Sequence, residues 1–330
     1  MMRLGIVNKE TWGFFNEIYS DLQKHYDTTA FHRWTLGLPM ASKRVPITTL
    51  RYALDRFMRQ NDAVFFEWAS DLLATASHLP KRCKIITRLH RYELYAWADK
   101  VNWDHVDGII LVSKAKQREF SERFPDHAAK TYVVSPSTSL DRFTPHSKPF
   151  TGDIGILCHL TARKRVYELI LDFYELQQNQ SSLKLHIAGG ASPWELAYHE
   201  ALHSIVKRLR LQDKVIFYGA TSKPERWYQK IDIFVSNSYS EGLQVAPMEA
   251  MASGCYCLSH WWEGADELLP EENLFFTGNE LNEKILSYCQ LSSAAKERQR
   301  AMMRSIARDR FDINKTIREI RSIVHRTASN

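Results

Sequence analysis

The 330-residue chain is poor in the residues that announce specialised architectures. Its five cysteines, Cys83, Cys158, Cys255, Cys257 and Cys289, are an odd number scattered along a long sequence, so they make no disulfide framework and fit a reducing, cytoplasmic setting. Cys255 and Cys257 flank Tyr256 with no second Cys/His pair nearby, and read as strand residues sharing one face rather than metal ligands. Thirteen glycines and eleven prolines are too few for a collagenous or low-complexity chain. No apolar run approaches the roughly 18 residues that span a bilayer, and the segment Met1–Asn8 is too short in apolar residues for a secretory signal. G-x-G-x-x-G, a Walker loop, G-x-S-x-G, H-E-x-x-H and paired C-x-x-C are all missing, which argues against dinucleotide enzymes, P-loop ATPases and zinc proteases.

What is present is an uneven charge. The formal net charge of +6 resides in residues 1–150, while 151–330 is neutral. A solvated basic surface accounts for this, and so does contact with an anion: a phosphorylated substrate, a lipid surface or nucleic acid. Nucleic acid is the weakest of the three, because no zinc-finger spacing, RNA-recognition strand motif or dense basic arm occurs.

Both halves alternate short apolar runs with amphipathic stretches. The first half predicts strands at Arg3–Val7, Thr28–Trp34, Asp62–Trp68, Cys83–His90, Asp107–Ser113 and Lys130–Ser135, with helical patterns such as Thr11–His25, Thr48–Gln60 and Lys114–Phe124. Residues 135–153, rich in Ser, Thr and Pro, read as a linker. The second half predicts strands at Ile154–Cys158, Leu183–Ala188, Lys214–Tyr218, Ile231–Asn237, Cys255–Ser259 and Asn273–Phe276, and helices near 164–179, 193–210, 244–253 and 280–291. Val166, Leu169, Ile170, Phe173 and Leu176 form one buried helical stripe. From Ala294 to Thr327 the pattern is helical with a break near Arg310-Phe311-Asp312. Strand–helix alternation repeated in this way predicts two α/β domains with parallel sheets, and a ligand in a cleft at the carboxyl ends of their strands.

The segment Glu241-Gly-Leu-Gln-Val-Ala-Pro-Met-Glu249 carries the most chemistry. It follows a buried strand and a polar turn, and Pro247 suits the first turn of a helix. Residues 242–246 then offer backbone N–H groups at a helix entrance, a natural phosphate site. Glu241 falls in the loop and Glu249 in the first helical turn, where an acid also favours the dipole by about 0.3–1 kcal/mol without any ligand. Arg163-Lys164-Arg165 opens another helix, where cations oppose the dipole and an anionic ligand would remove the conflict. The loop position of Lys164 predicts an exposed side chain. His90 and Glu67 end strands of the first half, with Glu67 pointing to the cleft rim as an acceptor contact, Asp232 enters a strand, and Trp261-Trp262 either pack in the core or stack on sugar at a rim.

In this frame the segment resembles the E-x7-E signature of retaining glycosyltransferases of the GT-B architecture, in particular family four. Leu185-His-Ile-Ala-Gly189-Gly190, Val215-Ile-Phe-Tyr-Gly219, Ser253-Gly254 with the strand after it, Gly264-Ala-Asp-Glu267 and His159-Leu-Thr-Ala-Arg163-Lys164 fall in the family's order. The match is strong over about 154–276 and looser over the first half, where Ile86–His90 corresponds. His159 stands where the pattern has arginine, Gln244 where it has a second glycine, and Asn8–Gly13 where it has a glycine-rich turn.

The resemblance implies two facing Rossmann-like domains about a deep interdomain cleft: an acceptor-binding domain over 1–145, a nucleotide-sugar domain over 146–310, and a helix over 311–330 returning to the first. It implies a metal-independent retaining transfer of a sugar from a nucleotide-diphosphate-sugar to a glycan, lipid-linked or small-molecule hydroxyl. Glu241, His90 and Lys164 would act in catalysis, and Glu249, Arg163, His159, Gly242, Leu243, Gln244 and Gly190 would bind the donor. No cofactor is expected, since the nucleotide-sugar is a substrate. The basic half suggests peripheral contact with an anionic inner membrane face and none with nucleic acid. The alternatives are a non-catalytic sugar-nucleotide or glycan-binding protein and a UDP-sugar epimerase.

Overall fold

A computed structural model describes residues 1–9, 12–13, 15–31, 47–145 and 148–329. The chain folds into two compact units, 1–136 with 314–330, and 137–313.

The first unit holds a parallel sheet of β1 (Arg3–Val7), β2 (Asp27–Ala30), β3 (Ala63–Phe66), β4 (Lys84–Leu89), β5 (Gly108–Leu111) and β6 (Thr131–Val133), in the order β2-β1-β3-β4-β5-β6. Helices α1 (Asn16–His25), α2 (Ile47–Gln60), α3 (Asp71–Ser77), α4 (Arg91–Ala96) and α5 (Lys114–Arg123) alternate with the strands. Every residue of β3 and β5 is buried, which is why these strands read as unbroken apolar runs. Residues 32–34 of the predicted strand 28–34 and parts of the predicted helix 11–25 and of the turn 8–13 lie outside the described residues.

The second unit holds β7 (Asp153–Leu157), β8 (Lys184–Ala188), β9 (Val215–Gly219), β10 (Ile233–Ser236), β11 (Tyr256–His260) and β12 (Leu274–Phe275), in the order β12-β11-β10-β7-β8-β9, again parallel. Its helices are α6 (Val166–Asn179), α7 (Leu196–Arg208), α8 (Pro224–Tyr228), α9 (Val245–Ala252), α10 (Gly278–Gln290) and α11 (Ser293–Phe311). Period-two alternation sends Ile233 and Val235 into the core under one sheet face and Phe234 into the core under the other. The α6 stripe is buried at Val166, Leu169, Ile170, Phe173 and Leu176. Cys255 and Cys257 share the second of these cores.

Residues 137–145 fold with the second unit, where Phe143 is buried against Tyr228. Helix α12 (Ile313–Ser329) follows the break at Asp312 and packs on the first unit: Arg321 pairs with Asp21 at 2.9 Å, and Thr316 donates to the Ser135 carbonyl at 3.2 Å. Both units therefore have the Rossmann-like plan. In each, strand order reverses once, between β1 and β3 and between β7 and β10, and open parallel sheets bind ligands outside the carboxyl ends of such strands.

Candidate active site

At the reversal point of the second unit two loops meet, 158–165 after β7 and 237–244 after β10. The first is built as a clamp. The Cys158 N–H donates to the Ala188 carbonyl and the Leu160 N–H to the Gly190 carbonyl, both at 3.0 Å, tying the loop to the turn after β8. Gly189 has φ +141°, and a Cβ there would overlap the Cys158 carbonyl oxygen, so only glycine permits this approach. The Ala162 N–H donates to the Glu195 carboxylate at 2.7 Å. Arg165 takes a left-handed conformation (φ 51°) as the cap of α6, and its carbonyl accepts from the buried Asn237 amide at 2.9 Å.

This geometry brings Arg163, Lys164 and Glu241 together. Lys164 Nζ donates to Glu241 Oε1 at 2.5 Å, the Arg163 guanidinium donates to the same oxygen, and Arg163 also reaches the Ser240 carbonyl at 2.7 Å. Glu241 is buried, and burial is the largest influence on it, pushing its carboxyl up. Lys164 and Arg163, with hydrogen bonds from Lys164 and Ser238, outweigh that effect and hold the carboxyl below its ordinary value. Lys164 itself is only 15% exposed in its side chain, contrary to the exposed position expected of a loop lysine. The reason is the buried carboxylate beneath it.

Glu249 differs. Helix α9 starts at Val245 with Gln244 as its cap, so Glu249 is the fifth helical residue and lies beyond the first turn. The dipole argument for it therefore fails. It packs beside Tyr228, whose hydroxyl lies 2.9 Å from Glu249 Oε2 and 3.0 Å from the Ala246 carbonyl. Burial pushes its carboxyl up to about 7, against smaller opposing influences from Tyr228 and Arg142.

Between the two glutamates, Gly242 is buried and Leu243 packs into the core. The Gln244 Oε1 accepts from Ser236 Oγ, while its buried amide nitrogen has no partner among the described residues. His159 is exposed in the same loop, where its carbonyl accepts from the Thr161 N–H at 2.9 Å. Asp232 is structural: its carboxylate accepts from the N–H groups of Thr151 and Gly152, both at 3.0 Å. Trp262 is core, whereas Trp261 is 42% exposed and stacks on Phe276. Sequence reasoning missed Tyr228, Ser236, Asn237 and Glu195, which reach the site from other elements. Of these, Asn237 alone carried a signal, as a polar residue ending a buried strand.

In the first unit His90 caps α4 and stacks on Trp68 with ring centroids 4.2 Å apart. Glu67 is fully buried rather than at a rim, held by Arg88 at 3.1 Å, with His90 Nε2 at 3.6 Å.

Residues 151–310 match the family model described as Glycosyl transferases group 1. The lipopolysaccharide core biosynthesis mannosyltransferase LpsB of Rhizobium meliloti is 35% identical over 108 residues, 33% of this chain and 30% of that protein. The D-inositol 3-phosphate glycosyltransferase of Streptomyces avermitilis is 26% identical over 167 residues, 45% of this chain and 36% of that protein. The chain thus spans about a third of the length of these relatives. The Anabaena protein HepE, solved with UDP and glucose, superposes with a TM-score of 0.77 at 18% identity over 98% of this chain and 100% of that one. The chain has the GT-B glycosyltransferase fold. The match to glycosyl transferases group 1 lies within its second unit.

Proposed function

We propose that the protein is a retaining glycosyltransferase that moves a sugar from a nucleotide-diphosphate-sugar to a hydroxyl of a glycan, lipid-linked or small-molecule acceptor. The observation that carries this reading is the convergence of Arg163, Lys164 and Glu241 at the reversal point of a sheet whose sequence matches glycosyl transferases group 1.

Two cations share one carboxylate there and leave one net positive charge, preorganised by the clamped loop. Arg163, Lys164 and the N–H groups about Gly242, Leu243 and Gln244 at the start of α9 neutralise the departing diphosphate. Fixed cations then do the work a divalent metal does elsewhere. Glu241 orients sugar hydroxyls as positive charge develops on the anomeric carbon. Glu249 takes the ribose hydroxyls, with Gly190 and His159 on the donor side. His90, in the first unit, also acts in catalysis. Attack on the face the diphosphate leaves retains configuration.

No helix among the described residues is long and apolar enough to cross a membrane, and the basic first half would supply attraction to an anionic surface or acceptor. HepE is described in complex with UDP and glucose, which makes UDP-sugars the first donors to try.

The test is a thermal-shift screen over UDP-, GDP- and ADP-sugars, followed by release of nucleoside diphosphate with and without acceptor. A stabilising donor that is turned over supports the reading. A donor that binds without turnover supports a sugar-nucleotide-binding protein instead, and an altered sugar on the intact donor supports an epimerase.

A further inference from the structure

We infer that Tyr228 is a positioning residue for Glu249, and that its single hydroxyl proton couples donor binding to loss of the Glu249 proton. The inference rests on the glycosyltransferase reading, which brings the ribose of a nucleotide-sugar to Glu249. The hydrogen-bond geometry behind it is independent of that reading.

The Tyr228 hydroxyl stands between two oxygens. Glu249 Oε2 lies 2.9 Å away and the Ala246 carbonyl 3.0 Å. A phenol has one proton to donate, and a backbone carbonyl can only accept. With Glu249 protonated, every group is matched: the carboxyl donates to the phenol oxygen and the phenol donates to Ala246. With Glu249 ionised, both neighbours are acceptors and compete for that one proton. The phenol must then turn its proton to the carboxylate and leave the carbonyl. The oxygen itself stays in place. Tyr228 is fully buried, and its ring packs on Phe143, Trp227 and Phe234 with centroids 5.8, 5.3 and 5.9 Å away. Burial also pushes the phenol well above its ordinary value, so it remains a neutral donor. Tyr228 therefore holds the carboxyl in one place in both protonation states, accepting from the acid and donating to the anion.

The charged and titratable groups on the surrounding elements are engaged otherwise. On α8, Glu225 pairs with Arg142 at 2.8 Å. On β11, burial keeps Cys255 and Cys257 as neutral thiols. On α11, Arg304 donates to the Phe143 and Ala252 carbonyls, and Arg300 to the Gly254 carbonyl at 2.8 Å. Glu249 is half-buried whereas Tyr228 is sealed, so a ligand meets Glu249 and not the phenol. Two adjacent ribose hydroxyls arrive as donors, and the ionised carboxylate, being acceptor-only, receives both. Burial pushes Glu249 up to about 7, so near neutral pH the free protein holds much of it as the acid. Donor binding then sends that proton to solvent, and apparent affinity is lowered by the fraction still protonated.

Calorimetry in two buffers of different ionisation enthalpy counts the protons released when an intact UDP-, GDP- or ADP-sugar binds. For a carboxyl near 7 we expect about three-quarters of a proton per donor at pH 6.5 and about a tenth at pH 8. Glu249→Gln should release none. Tyr228→Phe takes a hydrogen bond from both states, but the anion loses more, so the midpoint of donor affinity against pH should move up by about one unit. Its binding defect should be roughly tenfold at pH 6.5 and fade by pH 8.5, whereas a merely structural phenol would weaken binding equally at every pH. Proton release is read on the wild type and Glu249→Gln, so the test holds even where Tyr228→Phe does not fold. No release from the wild type, equal release from Glu249→Gln, or a Tyr228→Phe defect constant with pH overturns the inference. Where any of these accompanies donor turnover, the enzyme reading stands. If none of the nucleotide-sugars binds, the enzyme reading fails and the coupling with it. The pH profile of the denaturant midpoint, taken without donor on wild type and Tyr228→Phe, then still shows whether the phenol acts on Glu249.

Discussion

Glu241 and Glu249 sit at either end of one short segment, the first buried and the second partly buried, yet their environments push them apart. The loop carboxylate is met by Lys164 and Arg163 and stays ionised below its ordinary range. The helical one is met by a phenol and lies near 7. Cations drawn from a second loop make one carboxylate a fixed charge, and their absence makes the other a group that changes charge near neutral pH. The spacing of the motif does not determine its electrostatics; the elements packed on each end do.

That contrast can be broken by substitution. The largest effect is expected at Glu241, whose interaction, in the proposed mechanism, strengthens as charge develops on the sugar. Glu241→Ala should lower kcat by about a hundredfold or more. Single-turnover measurement on folded protein checks it; an effect on KM alone would defeat the assignment. Lys164→Ala should come next, lowering donor turnover sharply. It also takes one partner from a buried carboxylate, so it should cost roughly 1–3 kcal/mol of stability, read from the denaturant midpoint. Unchanged turnover in a folded Lys164→Ala protein would refute the diphosphate role.

Glu249→Ala should mainly raise donor KM, by the equivalent of roughly 1–3 kcal/mol, because ribose contacts do not change along the reaction. The pH dependence sharpens this. A carboxyl raised on folding contributes stability that is present below its unfolded value of 4.5 and lost as pH rises through about 7. Between pH 5 and 8 the wild type should lose up to about 3 kcal/mol from this source. Donor affinity should rise over the same interval as the group ionises. Glu249→Gln should flatten both profiles, and equal slopes in the two proteins would show that the titrating group lies elsewhere.

Two smaller expectations concern charge supplied by the protein. Turnover should persist in EDTA if Arg163 and Lys164 meet the phosphate charge as proposed; restoration by Mg²⁺ after chelation would contradict it. Binding of an anionic acceptor or vesicle through the basic first half should weaken with salt, as screening shortens to about 8 Å near 0.15 M. A flat salt response would leave the +6 charge as ordinary solvated surface.

Much of the architecture is written in local pattern. The twelve strands among the described residues fall within or overlap the predicted runs, most of them because parallel strands covered on both faces are nearly continuous apolar stretches. Their ends are trimmed where the ladder stops, as at Trp68 and His90, whose side chains turn to each other instead. The short helices α3, α4 and α8 are too brief for periodicity to declare them. At the site, Arg163, Lys164 and Glu241 were legible as residues with a chemistry, but their sharing of one oxygen was not, because it depends on two loops brought together by strand order. Lys164 read as exposed and Glu67 as a rim residue for the same reason: each is shielded, Lys164 partly and Glu67 fully, by a partner distant in sequence. The start of α9 at Val245, which moves Glu249 out of the first turn, was hidden by Pro247, a residue that the third helical position accepts as readily as the first.

The thiols have a consequence for how the molecule can be interrogated. Burial pushes Cys83 in the first unit and Cys255 in the second up to about 12, and Cys257 well above its ordinary value. A thiol that is neither accessible nor ionised does not react with alkylating agents. Each of these side chains is therefore a silent clock that starts only when its own unit opens. Mass-resolved alkylation in dilute denaturant would time the opening of the two units separately in one unaltered protein, with no label introduced.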